Sequence, residues 1–328
     1  MSSIPPVSEV CDALLFAVIP AFGVTSLVAV LIPTILGRRA EFVAAAIAFV
    51  VGVAAANFFR GCFVLRFESD SPLSPFDLMR GLWSVITGQS LVFGGTDSDP
   101  ILAPRAGRYW IPWAGLIAIG GGLLLRLPRL PTAMSSVVRI CIAAIAARMI
   151  VPADLASGSP WLAWPVGLLI FSIWSLAERR SVRVPHEVTS AAAGLASLGA
   201  AAVLLHAHSA RLTDVATLIA FASFGISVVA CWKRIDAAGA VPAIAVGLPG
   251  VLVSGYHETF SEVPALAFVL PALAPLATAL LAIFPDRCLC GWRRWFFTAL
   301  LVGLPTLAAV VLASRAETLD FGHSGEQF

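Results

Sequence analysis

Long apolar runs, separated by arginine, proline or short polar turns, recur from one end of this chain to the other. They fall at roughly 13–36, 41–59, 109–126, 131–152, 160–177, 187–208, 213–232, 239–256, 263–284 and 294–314. Each is close to the ~20 residues a helix needs to cross a hydrocarbon layer about 30 Å thick. The runs do not alternate polar and apolar positions, as strands of a membrane barrel would. The pattern predicts an all-α fold, a polytopic integral membrane helical bundle of about ten transmembrane helices, forming one transmembrane domain over 1–328. Most connections are short, so successive helices should pack as antiparallel hairpins.

One stretch breaks the rhythm. Residues 60–108 form the sole long connection. Ser74, Pro75 and Asp77 read as a helix start, with serine as cap, proline in the first turn and aspartate near the free amides. Phe76, Met79, Leu82, Trp83 and Ile86 then recur at helical spacing, which predicts an amphipathic interfacial helix over 76–91. Such a segment could dock a protein partner. Tyr109, Trp110 and Trp113 follow where an interfacial aromatic belt belongs.

Composition agrees with the pattern. The chain is 59% hydrophobic and 12% charged, with a mean hydropathy of +0.92; soluble domains carry about twice that charge. The net charge of +2 comes without a basic stripe, so nucleic acid is not an expected partner and the lipid bilayer is. The placement of charge sets an orientation. Arg38, Arg39, Arg126, Arg129, Arg179, Arg180, Arg183, Lys233, Arg234, Arg287, Arg293 and Arg294 all flank connections on one side. The short connections on the other side are nearly free of arginine. By the positive-inside rule the basic side is cytoplasmic. Both termini and the 60–108 loop are then exoplasmic, as expected for a multi-pass protein of the cell (inner) membrane. An even helix count also puts the termini on one side. The first run is too long for a signal-peptide core and should stay as an anchor. Six cysteines form no disulfide framework or paired zinc spacing.

Prolines and glycines suggest halves, 1–180 and 181–328. The third and eighth runs both begin with proline and are interrupted eight residues later, at Gly120 and at Gly250 beside Gly247 and Pro249. The fourth and ninth are bracketed by Pro131 and Pro152, and by Pro264 and Pro285. With five helices each, the halves would be an inverted 5+5 repeat. Matched interruptions are the pattern of a transporter site.

Arg139 is the deepest charge. It lies eight residues past Pro131, roughly 12 Å along a helix. No carboxylate lies deep inside another run to pair with it. Two readings follow: the guanidinium binds an anionic group, or the helix sits shifted and Arg139 snorkels to the interface. Together with Gly120, Gly247, Pro249 and Gly250 it makes the candidate substrate site. A second group of polar residues collects on the opposite side: Asp97, Asp99, His206, His208, His257 and Glu258. His206 and His208 are two apart and point to different faces of a helix, so a metal site is not expected there. The chain has no nucleophile elbow, P-loop or dinucleotide fingerprint, and no cofactor is expected.

These features predict a small secondary transporter or carrier for an anionic or amphiphilic molecule. A non-catalytic structural or accessory subunit of a larger complex is the alternative. A lipid-processing enzyme with an outer-face site at Asp97, Asp99 or His257 is the third reading. In size and helix count the chain is similar to the drug/metabolite transporter superfamily. That likeness is one of topology, and the inferred orientation departs from it, since that family's termini are usually cytoplasmic.

Overall fold

The computed structural model describes residues 18–37, 40–60, 111–126, 131–151, 161, 163–180, 185–258, 262–282 and 291–323. The expected helix at 76–91, and Asp97 and Asp99, lie outside them. Among the described residues ten α-helices follow one another. They are α1 Ile19–Leu36, α2 Glu41–Arg60, α3 Ile111–Leu125, α4 Thr132–Ile150, α5 Ala163–Arg180, α6 His186–His206, α7 Ala210–Lys233, α8 Val241–Glu258, α9 Ala265–Ala277 and α10 Trp292–His323. Each coincides with one of the apolar runs. Six are long and apolar enough to cross a membrane: α1, α4, α6, α7, α8 with its preceding turn, and α10; the other four are shorter apolar helices.

Proline sets several boundaries. Pro131, Pro185 and Pro264 sit immediately before α4, α6 and α9 with extended ψ angles of 147°, 141° and 143°. Proline carries no side-chain acceptor, so these helices start without a side-chain cap. Pro271 and Pro275 lie inside α9, which tightens after Ala277 into the 3₁₀ turn Thr278–Ala282. The ninth run therefore yields a shorter α-helix than expected. The tenth runs past residue 314 to His323.

The interruptions expected in the third and eighth runs are not breaks. α3 is continuous through Gly120–Gly122, and α8 through Gly247, Pro249 and Gly250. In α8 the glycines give room to neighbours. A Cβ at Gly247 would lie 3.1 Å from Ile219 of α7, and one at Gly250 would lie 3.2 Å from both Ile111 and Ile150. Close packing on all sides keeps the helix intact around Pro249.

α8 occupies the middle of the bundle and touches α3, α4, α5, α6, α7 and α9. Small residues allow this. Gly122 of α3 receives Pro242, Gly194 of α6 receives Phe224 of α7, and Gly199 of α6 receives Thr306 of α10. Large apolar side chains such as Leu27, Leu168, Leu304 and Leu307 instead face outward. That is the arrangement lipid imposes, since tails solvate a leucine as well as a neighbouring helix does.

The chain alternates direction as the hairpins require. At one end Glu41, Arg126 and Asp236 meet, and late α5, early α6, early α8 and the end of α9 converge. At the other, Ile111, Ile150 and Gly250 meet, and Leu204 and Phe268 pack on Gly255. The first is the end that carries the arginine-rich connections. Trp161 and Trp164 stand exposed at the opposite end, and Trp232 and Trp292 at the basic end. Two such aromatic levels are where a bilayer's interfaces would fall.

Candidate functional site

Arg139 is not alone. Its Nη2 lies 2.7 Å from Oε2 of Glu178, and the two side chains keep 11% and 25% of their exposure. This corrects the expectation of a cation without a carboxylate. Residue 178 falls just past the fifth run at 160–177, but α5 continues to Arg180 and carries Glu178 on its last turn. Side chains on a helix lean toward its N-terminus. Arg139 therefore reaches toward the basic end, while Glu178 reaches back toward the bilayer centre. The pair forms between their Cα levels, toward the basic end of the bundle.

The pair joins two helices that pack closely further along. In the half of α4 away from the basic end, Gly167 of α5 lets the two helices close. A Cβ there would lie 3.5 Å from the carbonyl of Ala143 and 3.5 Å from Ala147. α4 is mostly buried over 142–150, whereas Thr132, Ala133, Met134, Val137, Ile140 and Cys141 are exposed. The first half of α4 thus turns one face outward while Val138 packs on the core, and Arg139 bridges to α5. Ser135 and Ser136 donate to the carbonyl of Thr132 at 2.8 and 3.2 Å. On these two helices Nε of Arg139 and Oγ of Ser175 are buried with no hydrogen-bond partner among the described residues. In a medium without water each such group is costly.

Beside the pair, α5, α6, α8 and α9 enclose a cavity of about 20 Å³, lined in part by Ala177, Ser190, Val241, Pro275 and Thr278. That is room for about one water. Ser190 Oγ is buried there without a partner, and Thr278 donates to the carbonyl of Pro275 at 2.6 Å.

A second polar cluster holds the basic end together. Arg126 lies 3.5 Å from Asp236 and stacks 4.5 Å above the Phe42 ring. The Asp236 amide donates to Glu41 at 3.3 Å, and its carboxylate accepts from Ala238 at 2.9 Å. This starts the 3₁₀ turn Ala237–Ala240 that leads into α8. Its role is to tie α2 and α3 to the α7–α8 connection.

The remaining sequence candidates are dispersed. Gly120 faces outward, with nothing within 4 Å of a Cβ placed on it. Gly247 and Gly250 seat α8 against α7, α3 and α4. Gly250 meets α4 at Ile150, eleven residues and roughly 16 Å from Arg139. Pro249 lies within α8 between them. At the opposite end His206 closes α6 half-buried, His208 is exposed in a left-handed turn with φ 57°, and His257 is exposed near the end of α8. Glu258 is the last residue of α8. Among the described residues no three His, Cys, Asp or Glu side chains are grouped to hold a metal ion. Sequence reasoning missed Glu178, Ser175 and Ser190. Ser172, Ser175 and Glu178 at three-residue spacing was the available signal for a polar face on α5.

Apolar helices, outward leucines and two aromatic levels define an all-α protein built to be embedded in a membrane. No protein-family model, no curated protein and no solved structure matches this chain.

Proposed function

We propose that this protein is a small carrier for an anionic or amphiphilic molecule, working as a ten-span protein of the inner membrane. In this reading the arginine-rich end faces the cytoplasm, and both termini and residues 60–108 lie outside. One observation carries it: a mostly buried guanidinium ion-paired between α4 and α5, whose Nε has no hydrogen-bond partner among the described residues. A merely structural ion pair would gain nothing from that bare donor. An anionic group arriving from the membrane would satisfy it.

The 5+5 inverted repeat belongs to this proposal. In its favour, the hairpins α1–α2 and α6–α7 correspond, as do α4–α5 and α9–α10, and α3 packs directly on α8. The halves differ in that α8 is central and α3 is peripheral. The test is reconstitution into liposomes, reading translocation of fluorescent short-chain phospholipids and release of an entrapped organic anion, carboxyfluorescein. Wild type should move one of them and Arg139→Ala should not. Equal rates with protein-free liposomes for both probes would reject the carrier.

A second reading, an accessory subunit of a larger membrane complex, has its own support in the dense interior. The stretch from Ala237 to His257 is almost wholly buried, and the cavity beside it has room for about one water. Stable co-purification of other subunits in mild detergent would favour this reading, and a monodisperse lone protein would reject it. Residues 60–108 are the proposed docking segment.

A further inference from the structure

We propose that the cavity between α5, α6, α8 and α9 is a binding site for one ordered water, held by Ser190 of α6 and by the proline-interrupted end of α9. This goes beyond the carrier reading, because it concerns no moving solute.

Three features select water. The first is an unpaired group in the wall. Helix hydroxyls in this protein commonly bond back to the carbonyl one turn before them, as Thr213, Thr217, Ser223, Thr298 and Thr306 do at 2.7–2.9 Å. Ser190 does not. It is 2% exposed, it lines the cavity, and its Oγ is buried with no hydrogen-bond partner among the described residues. The carbonyl three residues before it, on Glu187, already accepts the hydroxyl of Ser227 at 2.7 Å. The second is the opposite wall. Pro275 lines the cavity from inside α9 and has no N–H to give the carbonyl of Pro271 one turn earlier. That carbonyl points along the helix toward residue 275. Thr278, also in the wall, donates to the carbonyl of Pro275 at 2.6 Å, and a hydroxyl that donates can also accept. A water between the walls accepts from Ser190 and donates to α9, which gives it the roughly two to four polar partners that a buried water needs. The third is size and charge. A volume of about 20 Å³ admits one water and no larger solute. Among the described residues no charged side chain lines the cavity, so nothing there selects an ion. Ile173, Val241 and Ile244 make the rest of the wall apolar. A dry cavity would leave the Ser190 hydroxyl stranded in a medium that offers no partner.

The experiment uses the purified full chain in detergent and reads the melting temperature. A wet and a dry cavity predict opposite signs. With the water present, Ser190→Ala removes one of its hydrogen bonds and should lower the melting temperature by about 2–4 °C. In a dry cavity the same change deletes an unsatisfied hydroxyl, so an unchanged or higher melting temperature would overturn the proposal. Ser197 is the control. It lies two turns further along α6, is fully buried with its Oγ unpaired among the described residues, and is not part of the cavity wall. Ser197→Ala should not lower the melting temperature; a fall equal to that of Ser190→Ala would assign the loss to serine packing on α6 and overturn the proposal. Thr278→Val should also cost stability, and joining it to Ser190→Ala should cost less than the sum, because one water serves both. Strict additivity would overturn the bridge. If Ser190→Ala does not fold, a wild-type density map that resolves ordered waters decides. A single peak about 2.5–3.0 Å from Ser190 Oγ supports the site, and an empty cavity rejects it. Failure here leaves the carrier reading standing, because that is judged by flux.

Discussion

α8 and α10 look alike as strings of apolar residues with an internal proline, yet they have opposite fates. In an 18-residue window of Ala237–His257, which holds most of α8, 94% of the residues are buried, whereas the corresponding share for Trp292–Ala316 in α10 is 28%, although α10 is the more apolar of the two. In water the ranking would be reversed. In lipid there is no hydrophobic gain from hiding a leucine, so burial goes to the helix that neighbours can approach most closely. α8 has Gly247, Gly250 and Gly255 against Ile219, Ile111, Ile150 and Leu204, while α10 presents Leu304 and Leu307 to the outside.

The widest separation between the two helices should come from matched truncations. Leu252→Ala, at a site 2% exposed in α8, should cost about 2–5 kcal/mol. Leu304→Ala, at a site 57% exposed in α10, should cost less than about 0.5 kcal/mol. Unfolding titrations in mixed micelles measure both, and equal costs would break the comparison.

Next comes the approach to α8. Gly239, in the turn before it, lies against the carbonyl of Phe42, and a Cβ there has no space. Gly239→Ala should lower stability by about 1–3 kcal/mol, read as a fall in melting temperature. An unchanged melting temperature would show that this turn is looser than its packing implies.

The ion pair at the edge should matter less than the centre. Arg139→Ala should cost about 1–2 kcal/mol, between exposed and fully buried pairs. Combining it with Glu178→Ala should cost less than the sum of the single changes. Strict additivity in this double-mutant cycle would mean the two groups do not interact in the membrane.

The smallest effect carries the opposite sign. At Gly120 a methyl group meets nothing within 4 Å. Gly120→Ala should therefore stabilise α3 by up to about 1 kcal/mol through helix propensity. A loss of stability in the same titration would place an unseen neighbour at that face.

Much of the fold was legible because the apolar runs and the arginines between them are local signals. Every run became a helix, and the described helix ends next to the basic connections gather at one end. The candidate site was half legible. Arg139 stood out by depth, but Glu178 looked like a solvated residue beyond its span. Its partnership depends on how far α5 continues and how α4 leans, and neither is local. Gly120, Gly247 and Gly250 were grouped by analogy of position. They separate because one faces outward and the others seat a central helix.

The sequence by itself determined which segments belong in lipid and in what alternating order, because the free energy of moving a segment into hydrocarbon depends on its own length and composition. The tertiary structure alone decided that α8 lies at the centre, that Gly120 faces out, and that Arg139 meets Glu178. Those outcomes rest on close fit between helices distant in the chain, and in a medium that solvates every apolar side chain equally well, nothing short of that fit distinguishes one packing from another.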